Sequence, residues 1–358
     1  LALMKNVNVL PDTVMQYHGI NLDHPWTQQF STTVTKLDVY YFFRHILGRL
    51  PSEPEWPGHC GFVGNNLADV ITTYLNSQEF KSRKLIGFSP TGIGKVELDG
   101  YIMYAAENDY AVGSHILTHR TYEPAVSEVF RSYLQPGMTV LDIGANIGWF
   151  SMLSASIVGH TGRVFSFEPG MSNTRFLVLN KTANAFDQIT LIHAAASDRI
   201  ENLAYSSSLS NGFVTDLQAA EPEVILSADI VFAVPVDLIV PQDLPVHLIK
   251  VDVEGWEMKA LHGAARVIKQ WKPRIVAEFT PPALLGSSGV SGEEFLDYFK
   301  QHGYGFQVIQ GSSPLDCGTD IERVINAYKQ SKVSHIDILM IHSSRSSEGS
   351  ILDSSVSS

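Results

Sequence analysis

Val140-Leu141-Asp142-Ile143-Gly144-Ala145-Asn146-Ile147-Gly148 runs an apolar strand straight into a pair of glycines, and a helix of small and apolar residues follows. Glycine lets the backbone turn tightly and come close to a ligand, with no Cβ in the way. The helix offers unpaired backbone N–H groups at its start. Open α/β sheets bind ligands at such turns, beyond the carboxyl ends of their strands. The flanking sequence repeats the alternation. Periodicity predicts helices over 125–134, 148–158, 173–185, 256–270 and 292–302. Strands are predicted over 139–144, 163–168, 189–195, 246–252, 274–279, 305–310 and 336–342, with a β-rich excursion running to about 236. Apolar strands alternating with helices imply an α/β fold with a mostly parallel, doubly wound sheet. No helix is evident between the last two strands, so an antiparallel edge is expected.

The turn also selects among ligands. A dinucleotide fingerprint needs G-x-G-x-x-G, and Asn146 stands where the second glycine would be, which disfavours NAD. A phosphate-binding G-K-[ST] loop is absent. The pattern D-x-G-x-N-x-G resembles the first motif of S-adenosylmethionine-dependent methyltransferases, where the amino acid part of the cofactor lies against the turn. That resemblance makes Asp142, Gly144, Ala145, Asn146 and Gly148 candidate cofactor residues. Glu168, in Val164-Phe165-Ser166-Phe167-Glu168-Pro169, follows Gly144 by 24 positions and ends the next strand. A carboxylate there can accept two charge-assisted hydrogen bonds from a ribose diol. Ala194-Ala195-Ala196-Ser197-Asp198 ends the third strand; its small residues leave room for adenine, and Asp198, with Ser197 beside it, can accept from an exocyclic amine.

The second half is more specific. It reads His247-Leu248-Ile249-Lys250-Val251-Asp252-Val253-Glu254-Gly255-Trp256-Glu257, then Ala260-Leu261-His262-Gly263-Ala264 and Ile275-Val276-Ala277-Glu278-Phe279. With Asp142–Gly148, Phe167-Glu168-Pro169 and Tyr122-Glu123-Pro124, this resembles the FkbM-type methyltransferases over about residues 110–310. The resemblance implies a Rossmann-like class I methyltransferase fold. It implies methyl transfer from S-adenosylmethionine to a hydroxyl oxygen, on sugars in glycans or on polyketide-type products. Trp256 departs from the small residue usual in the family, and reads either as a substrate wall or as packing at the helix start. Side chains alternate along a strand, so Lys250, Asp252 and Glu254 share a side at its carboxyl end. Glu278 ends the next strand. These four are the candidate catalytic groups, and paired carboxylates raise one pKa toward neutrality, as a general base requires. The competing reading is a structural network capping the next helix. No metal is expected, although Asp252, Glu254 and Glu278 form a possible oxygen set for Mg²⁺. Glu123 or Tyr122, in a lead-in that often lids the cofactor in this fold, is expected near the methionine end. His115 and His119, four apart, are alternative bases, and His193 is a strand-end residue.

Outside this core, residues 1–90 read as a small helical module, with helices Leu37–Leu50 and Asn66–Arg83. Tyr41-Phe42-Phe43-Arg44, Leu47-Gly48-Arg49, Trp56 and Leu75-x-Ser77-x-Glu79-Phe80 resemble a short module carried by bacterial surface and glycan-related proteins. Phe42 and Phe43, beside Tyr40 and Tyr41 at helical spacing, are expected in its core. Residues 91–125 form a β-hairpin, turning at Asp99-Gly100, and a lid-like lead-in. Residues 126–342 form the methyltransferase domain. Residues 343–358 hold 9 Ser in 16 positions and read as a solvated tail.

The chain of 358 residues sets Lys+Arg 25 against Asp+Glu 37, a net charge of −12. Duplex nucleic acid and anionic membranes demand clustered Lys and Arg, so neither is expected as a partner. A small-molecule or glycan acceptor is. Two distant cysteines, Cys60 and Cys317, make no disulfide framework, and no segment is apolar enough to span a bilayer; a cytoplasmic location is expected. A cofactor-fold binding module without turnover and a nicotinamide oxidoreductase are the competing functional classes.

Overall fold

The computed structural model describes residues 32–83, 92–311 and 313–348. Expectations for residues 1–31 and for the end of the tail lie outside the described residues. The chain divides into two compact units, Leu1–Thr91 and Gly92–Ser358.

In the first unit, Thr35 starts the helix Lys36–Tyr41 with a capping box: its hydroxyl accepts from Asp38 N, and the Asp38 carboxylate accepts from Thr35 N. The turn then widens into a π-helix, Phe42–Ile46, four residues short of the predicted end. The second predicted helix is two, Leu67–Asn76 and Gln78–Arg83. Ser77 breaks it by donating to Tyr74 O at 2.7 Å and accepting from Phe80 N at 3.1 Å. Phe42 and Phe43 pack in the unit's core, as the spacing predicts, together with Trp56 and Tyr74. Arg49 ties the unit together, with Nη2 donating to Glu55 Oε2 and Glu79 Oε2, both at 2.8 Å. Arg49 and Glu79 belong to the motif that gave this module its resemblance, and Glu55 does not.

The second unit opens with a hairpin, β1 (Ile93–Leu98) and β2 (Tyr101–Ala106). Its main sheet contains β3 (Thr139–Ile143), β4 (Arg163–Phe167), β5 (Ile189–Ile192), β10 (Leu248–Val251), β11 (Arg274–Phe279), β12 (Tyr304–Ile309), β13 (Leu315–Gly318) and β14 (Ile336–His342). The order is β13-β12-β14-β11-β10-β3-β4-β5. The five strands from β11 to β5 are parallel, and β14, β12 and β13 form an antiparallel edge. This is the Rossmann-like α/β architecture expected. Between β5 and β10, the excursion folds as a separate sheet of β6 (Ala195–Ala196), β7 (Glu201–Ser208), β8 (Asn211–Asp216) and β9 (Asp229–Val234), in the order β6-β9-β7-β8.

Four details differ from expectation. The predicted strand 189–195 is split, because β5 and β6 pair in different sheets. The predicted helix 256–270 breaks at Gly263, where a Cβ would lie 2.0 Å from Ser197 O, into Glu257–His262 and Ala265–Trp271. A helix, Ile321–Ser331, and the short β13 do stand between the last two predicted strands. Residues Ser343–Glu348 of the predicted tail form a 3₁₀ helix, and Arg345 donates to Trp271 O at 2.9 Å.

Alternation across the sheet prepares the site. Leu141, Ile143, Ile249, Val251, Ile275 and Ala277 face one core. Val140, Leu248 and Val276 face the other. Asp142, Lys250, Glu278 and Asp337 fall on the second face by the same period, with Lys250 opposite Asp142 and Glu278 opposite Asp337. The helix Trp149–Val158 covers that face: Ser151 donates to Asp142 Oδ2 at 2.5 Å, and Phe150 sets its ring 4.7 Å from Lys250 Nζ.

Candidate active site

Beyond β3, Gly144 (φ 83°) turns the chain, and the N–H groups of Gly144 and Ala145 both donate to Phe167 O at 3.0 Å. Asn146 takes a left-handed conformation (φ 52°), which Asn tolerates better than most residues. Its N–H donates to Glu168 Oε2 at 2.8 Å, and its side chain donates to Ser210 O at 3.0 Å. Glu168 also accepts from Gly170 N at 2.8 Å and from Asn173 Nδ2 at 3.3 Å. Burial pushes its carboxyl up to about 7, against the pull of these donors.

Beyond β10, Lys250 Nζ lies 2.7 Å from Asp252 Oδ2. Burial disfavours the ammonium, but the carboxylates of Asp252, Glu123 and Asp142 outweigh it and hold Lys250 above its ordinary value. Burial likewise opposes ionisation of Asp252, yet Lys250 wins and holds that carboxyl below its usual range. The chain then turns through Glu254 (φ 53°) and Gly255 (φ 98°). Glu257 closes the turn from below, accepting from Val253 N at 3.0 Å and Gly255 N at 3.1 Å. Glu278 accepts from Thr280 Oγ1 at 2.7 Å, and burial together with the Asp252 charge pushes it up to about 9. Partial burial, then the Asp252 charge, raises Glu254. Glu123, itself left-handed (φ 41°), is pushed by burial up to about 7.

One cavity of ≈ 480 Å³ joins the two strand ends. It brings together Glu123, Gly144, Ala145, Asn146 and Glu168 with Lys250, Asp252, Glu254 and Glu278. Tyr122, Ala195, Ala196 and Trp256 line it too, and the remaining sequence candidates do not. Asp142 is wholly buried beneath the turn, on Ser151. Gly148 (φ 98°) caps the following helix, where a Cβ would meet Leu177 at 3.1 Å. Ser197 donates to Glu201 Oε1 at 2.6 Å, and Asp198 is exposed, because β6 belongs to the small sheet and not to the main one. His115 and His119 pair with each other on the helix Gly113–His119, and His193 meets Pro169 O; none of the three lines the cavity.

Sequence reasoning passed over other lining groups. Tyr205, Ser210 and Gly212 come from the excursion, His335 from the loop before β14, and Asn173 from the helix Met171–Ala183. None carries a motif; topology alone delivers them. Trp256, 2 % exposed, packs with Ala195, Leu203 and Tyr205 at the helix start and also lines the cavity. Lys259 Nζ stands 3.7 Å from its ring. The oxygen set considered for Mg²⁺ is Asp252, Glu254 and Glu278. An ammonium already occupies Asp252, and no group of His, Cys, Asp and Glu among the described residues has the arrangement to hold an ion.

The cavity suits a ligand rich in donors and acceptors. Glu123 Oε2, Ser210 Oγ and Trp256 Nε1 line or border it without hydrogen-bond partners. Buried polar groups are ordinarily paired, so these are places for a ligand's own groups.

The acids also set a stability profile. Glu123, Glu168 and Glu257 stand near 7, Glu278 near 9 and Asp337 near 6, all raised mainly by burial. The folded protein therefore holds protons that the unfolded chain releases. Stability is unaffected by these groups below their ordinary values of 3.8 to 4.5, falls as pH climbs from there, and levels off for each group once its folded value, about 6 for Asp337 and up to about 9 for Glu278, is passed. Melting of the ligand-free protein is expected at its highest Tm near pH 5 and to decline toward pH 8, with each ~1 kcal/mol moving Tm by ~2–4 °C. Glu278→Gln is expected to flatten the decline; an unchanged slope refutes the assignment.

The mostly parallel sheet carries its polar cluster at the carboxyl strand ends, where open α/β sheets bind ligands. Residues 142–306 match the model of the methyltransferase FkbM domain. The crystal structure of methyltransferase FkbM from Methylobacillus flagellatus KT is similar at 19 % identity, over 64 % of this chain and 53 % of that one, with a TM-score of 0.36. The chain thus spans about half the length of that relative. TYW2 of M. jannaschii in complex with AdoMet is similar at 12 % identity, over 72 % and 90 % of the two chains, with a TM-score of 0.37. An rRNA methylase from Streptococcus thermophilus gives 9 %, 61 % and 93 %, with a TM-score of 0.36. At this distance none of these likenesses bears on the acceptor. The comparison with curated proteins found no match.

Proposed function

We propose that the chain is an S-adenosylmethionine-dependent O-methyltransferase that converts a hydroxyl of a sugar or glycan unit to a methyl ether. The observation that carries this reading is the single cavity shared by the glycine turn with Glu168 and the Lys250, Asp252, Glu254 and Glu278 cluster. S-adenosylmethionine supplies a methyl group on a sulfonium, already an excellent leaving group. The remaining tasks are alignment, worth up to ~7–11 kcal/mol in well-oriented systems, and removal of one proton. Gly144, Ala145 and Asn146 leave backbone room for the cofactor, and Glu168 accepts from its ribose. Lys250 keeps Asp252 ionised, so Asp252 accepts a hydrogen bond from the acceptor hydroxyl and fixes the direction of its lone pair. Glu278, protonated at neutral pH, shares a hydrogen bond with Asp252. The proton leaves the acceptor for the carboxylates of Asp252 and Glu254 at the cavity mouth, where His335 also stands.

Beside the ionised Lys250–Asp252 pair the acceptor end holds only acids, Glu123, Glu254 and Glu278, and, among the described residues, no second lysine or arginine. This balance supports an uncharged, polyhydroxylated acceptor over a phosphorylated one, and with the net charge of −12 it disfavours nucleic acid. A polyketide-type hydroxyl is the alternative acceptor. Among the described residues no helix is long and apolar enough to cross a membrane. Cys60 and Cys317 are free thiols, which supports a reducing, cytoplasmic location.

Calorimetry with S-adenosylmethionine, S-adenosylhomocysteine and NAD, with and without EDTA, tests the cofactor, and a panel of glycosides tests the acceptor. Binding of both sulfur compounds but not NAD is expected, insensitive to EDTA. Binding without turnover across the panel would instead mark a module that keeps the fold and does no transfer. Glu168→Ala is expected to weaken S-adenosylhomocysteine about tenfold or more, since a charge-assisted bond is worth ~1.5–3 kcal/mol. Unchanged affinity in a folded variant removes Glu168 from the cofactor site.

A further inference from the structure

The turn between β7 and β8 reaches over the glycine turn. The carbonyl of Ser210 accepts from Asn146 Nδ2 at 3.0 Å and from Asn173 Nδ2 at 2.8 Å. Asn173 also reaches Glu168 Oε1 at 3.3 Å, so one side chain bridges the hairpin tip and the carboxylate assigned to the ribose. Tyr205 of β7 packs its hydroxyl against both sides of the gap. A Cβ at Gly170 would lie 2.5 Å from that oxygen, and one at Gly212 would lie 2.1 Å from it. Both glycines are therefore demanded by the closure. The hairpin is thus fixed from three points, and Ser210, 5 % exposed, lines the cavity on the Glu168 side.

Its hydroxyl is the exception. Ser210 Oγ is buried and has no hydrogen-bond partner. A buried hydroxyl left unpaired costs free energy, and nothing in the packing of the hairpin requires one. With the carbonyl doubly held, the hydroxyl is left only its rotation about the Cα–Cβ bond. It is a pre-positioned donor and acceptor, within two hydrogen bonds of Glu168.

We propose that the β7–β8 hairpin is a nucleoside clasp, in which the Ser210 hydroxyl hydrogen-bonds the ribose of the bound cofactor beside Glu168. The inference rests on the S-adenosylmethionine reading above and assigns a cofactor contact to the excursion, which carries no sequence motif. It also gives Asn146 and Asn173 a shared role: they hold the clasp shut against the turn.

Calorimetry with S-adenosylhomocysteine, adenosine and 2′,3′-dideoxyadenosine tests it on the full chain. Ser210→Ala is expected to weaken S-adenosylhomocysteine about 3- to 10-fold, and Ser210→Thr to restore most of the loss. The preference of the wild type for adenosine over its dideoxy analogue is expected to shrink by the same factor in Ser210→Ala. The ligand-free Ser210→Ala protein is expected to melt no lower than the wild type, because an unpartnered polar group has been removed. Ser208→Ala, an exposed neighbour on β7, is the control. Equal affinity of Ser210→Ala and wild type, or a loss that is the same for adenosine and its dideoxy analogue, overturns the clasp. A wild type that binds neither S-adenosylhomocysteine nor adenosine overturns the cofactor reading itself.

Discussion

Asp252→Asn is expected to slow methyl transfer by ~10²–10⁴-fold while leaving the affinity for S-adenosylhomocysteine unchanged. The substitution keeps the shape of the side chain and removes its charge. Lys250 then loses the carboxylate 2.7 Å from its ammonium, and the acceptor hydroxyl loses its ionised partner. The cofactor half of the cavity is untouched, because Gly144, Asn146 and Glu168 are held by Phe167 and by one another. A single-turnover assay beside calorimetry separates the two effects. If both rate and affinity fall together, Asp252 is a structural support of the turn. If neither falls, the strand-end carboxylates are a helix cap and the chemistry lies elsewhere in the cavity.

Gly144→Ala is expected to cost the most stability of any single methyl group added to the domain. A Cβ there would lie 1.8 Å from the main-chain oxygen of Asp252, which no rotamer can relieve. The left-handed backbone (φ 83°) adds ~1–2 kcal/mol, and overpacking adds ~1–3 kcal/mol more. Thermal melting is expected to show a drop of several degrees, at ~2–4 °C per kcal/mol, with loss of S-adenosylhomocysteine binding. Gly100→Ala is the matched control: it too has positive φ (86°), but its Cβ meets open space. Equal losses in the two variants would mean that backbone conformation, and not the close approach to Asp252, governs the turn.

The sequence made the parallel core legible because buried strands write continuous apolar runs and their helices write a different period. Gly144, Glu168, Lys250, Asp252 and Glu278 were readable for the same reason: each stands at or just past a strand end, where order along the chain translates directly into place. Ser197 and Asp198 were misplaced by that rule. The strand they seemed to end is two strands in two sheets, a pairing fact with no local signature. Glu257 was quoted for its motif but has no readable role until the turn at Glu254-Gly255 is seen to close on it. Ser210 and His335 are brought in by loops from distant parts of the chain, and polar loop residues look alike in a sequence. The helix Asn66–Arg83 failed differently: its period is sound, and a single serine hydroxyl competing for the backbone breaks it.

The position of β10 also orders the assembly of the domain in time. Thr139, at the head of β3, bonds to the imidazole of His247, 108 residues downstream. β3, β4 and β5 pair with neighbours close in the chain and can zip early, with little loop-closure entropy to overcome. β10 must instead dock on the free edge of β3 after the whole excursion has been made, and β11 adds beyond it. During synthesis, the half of the sheet that carries Gly144 and Glu168 therefore exists before the strand that carries Lys250 and Asp252. Until β10 arrives, β3 presents a bare apolar edge, so a ribosomal pause or truncation within residues 193–247 leaves a chain prone to pair with its like.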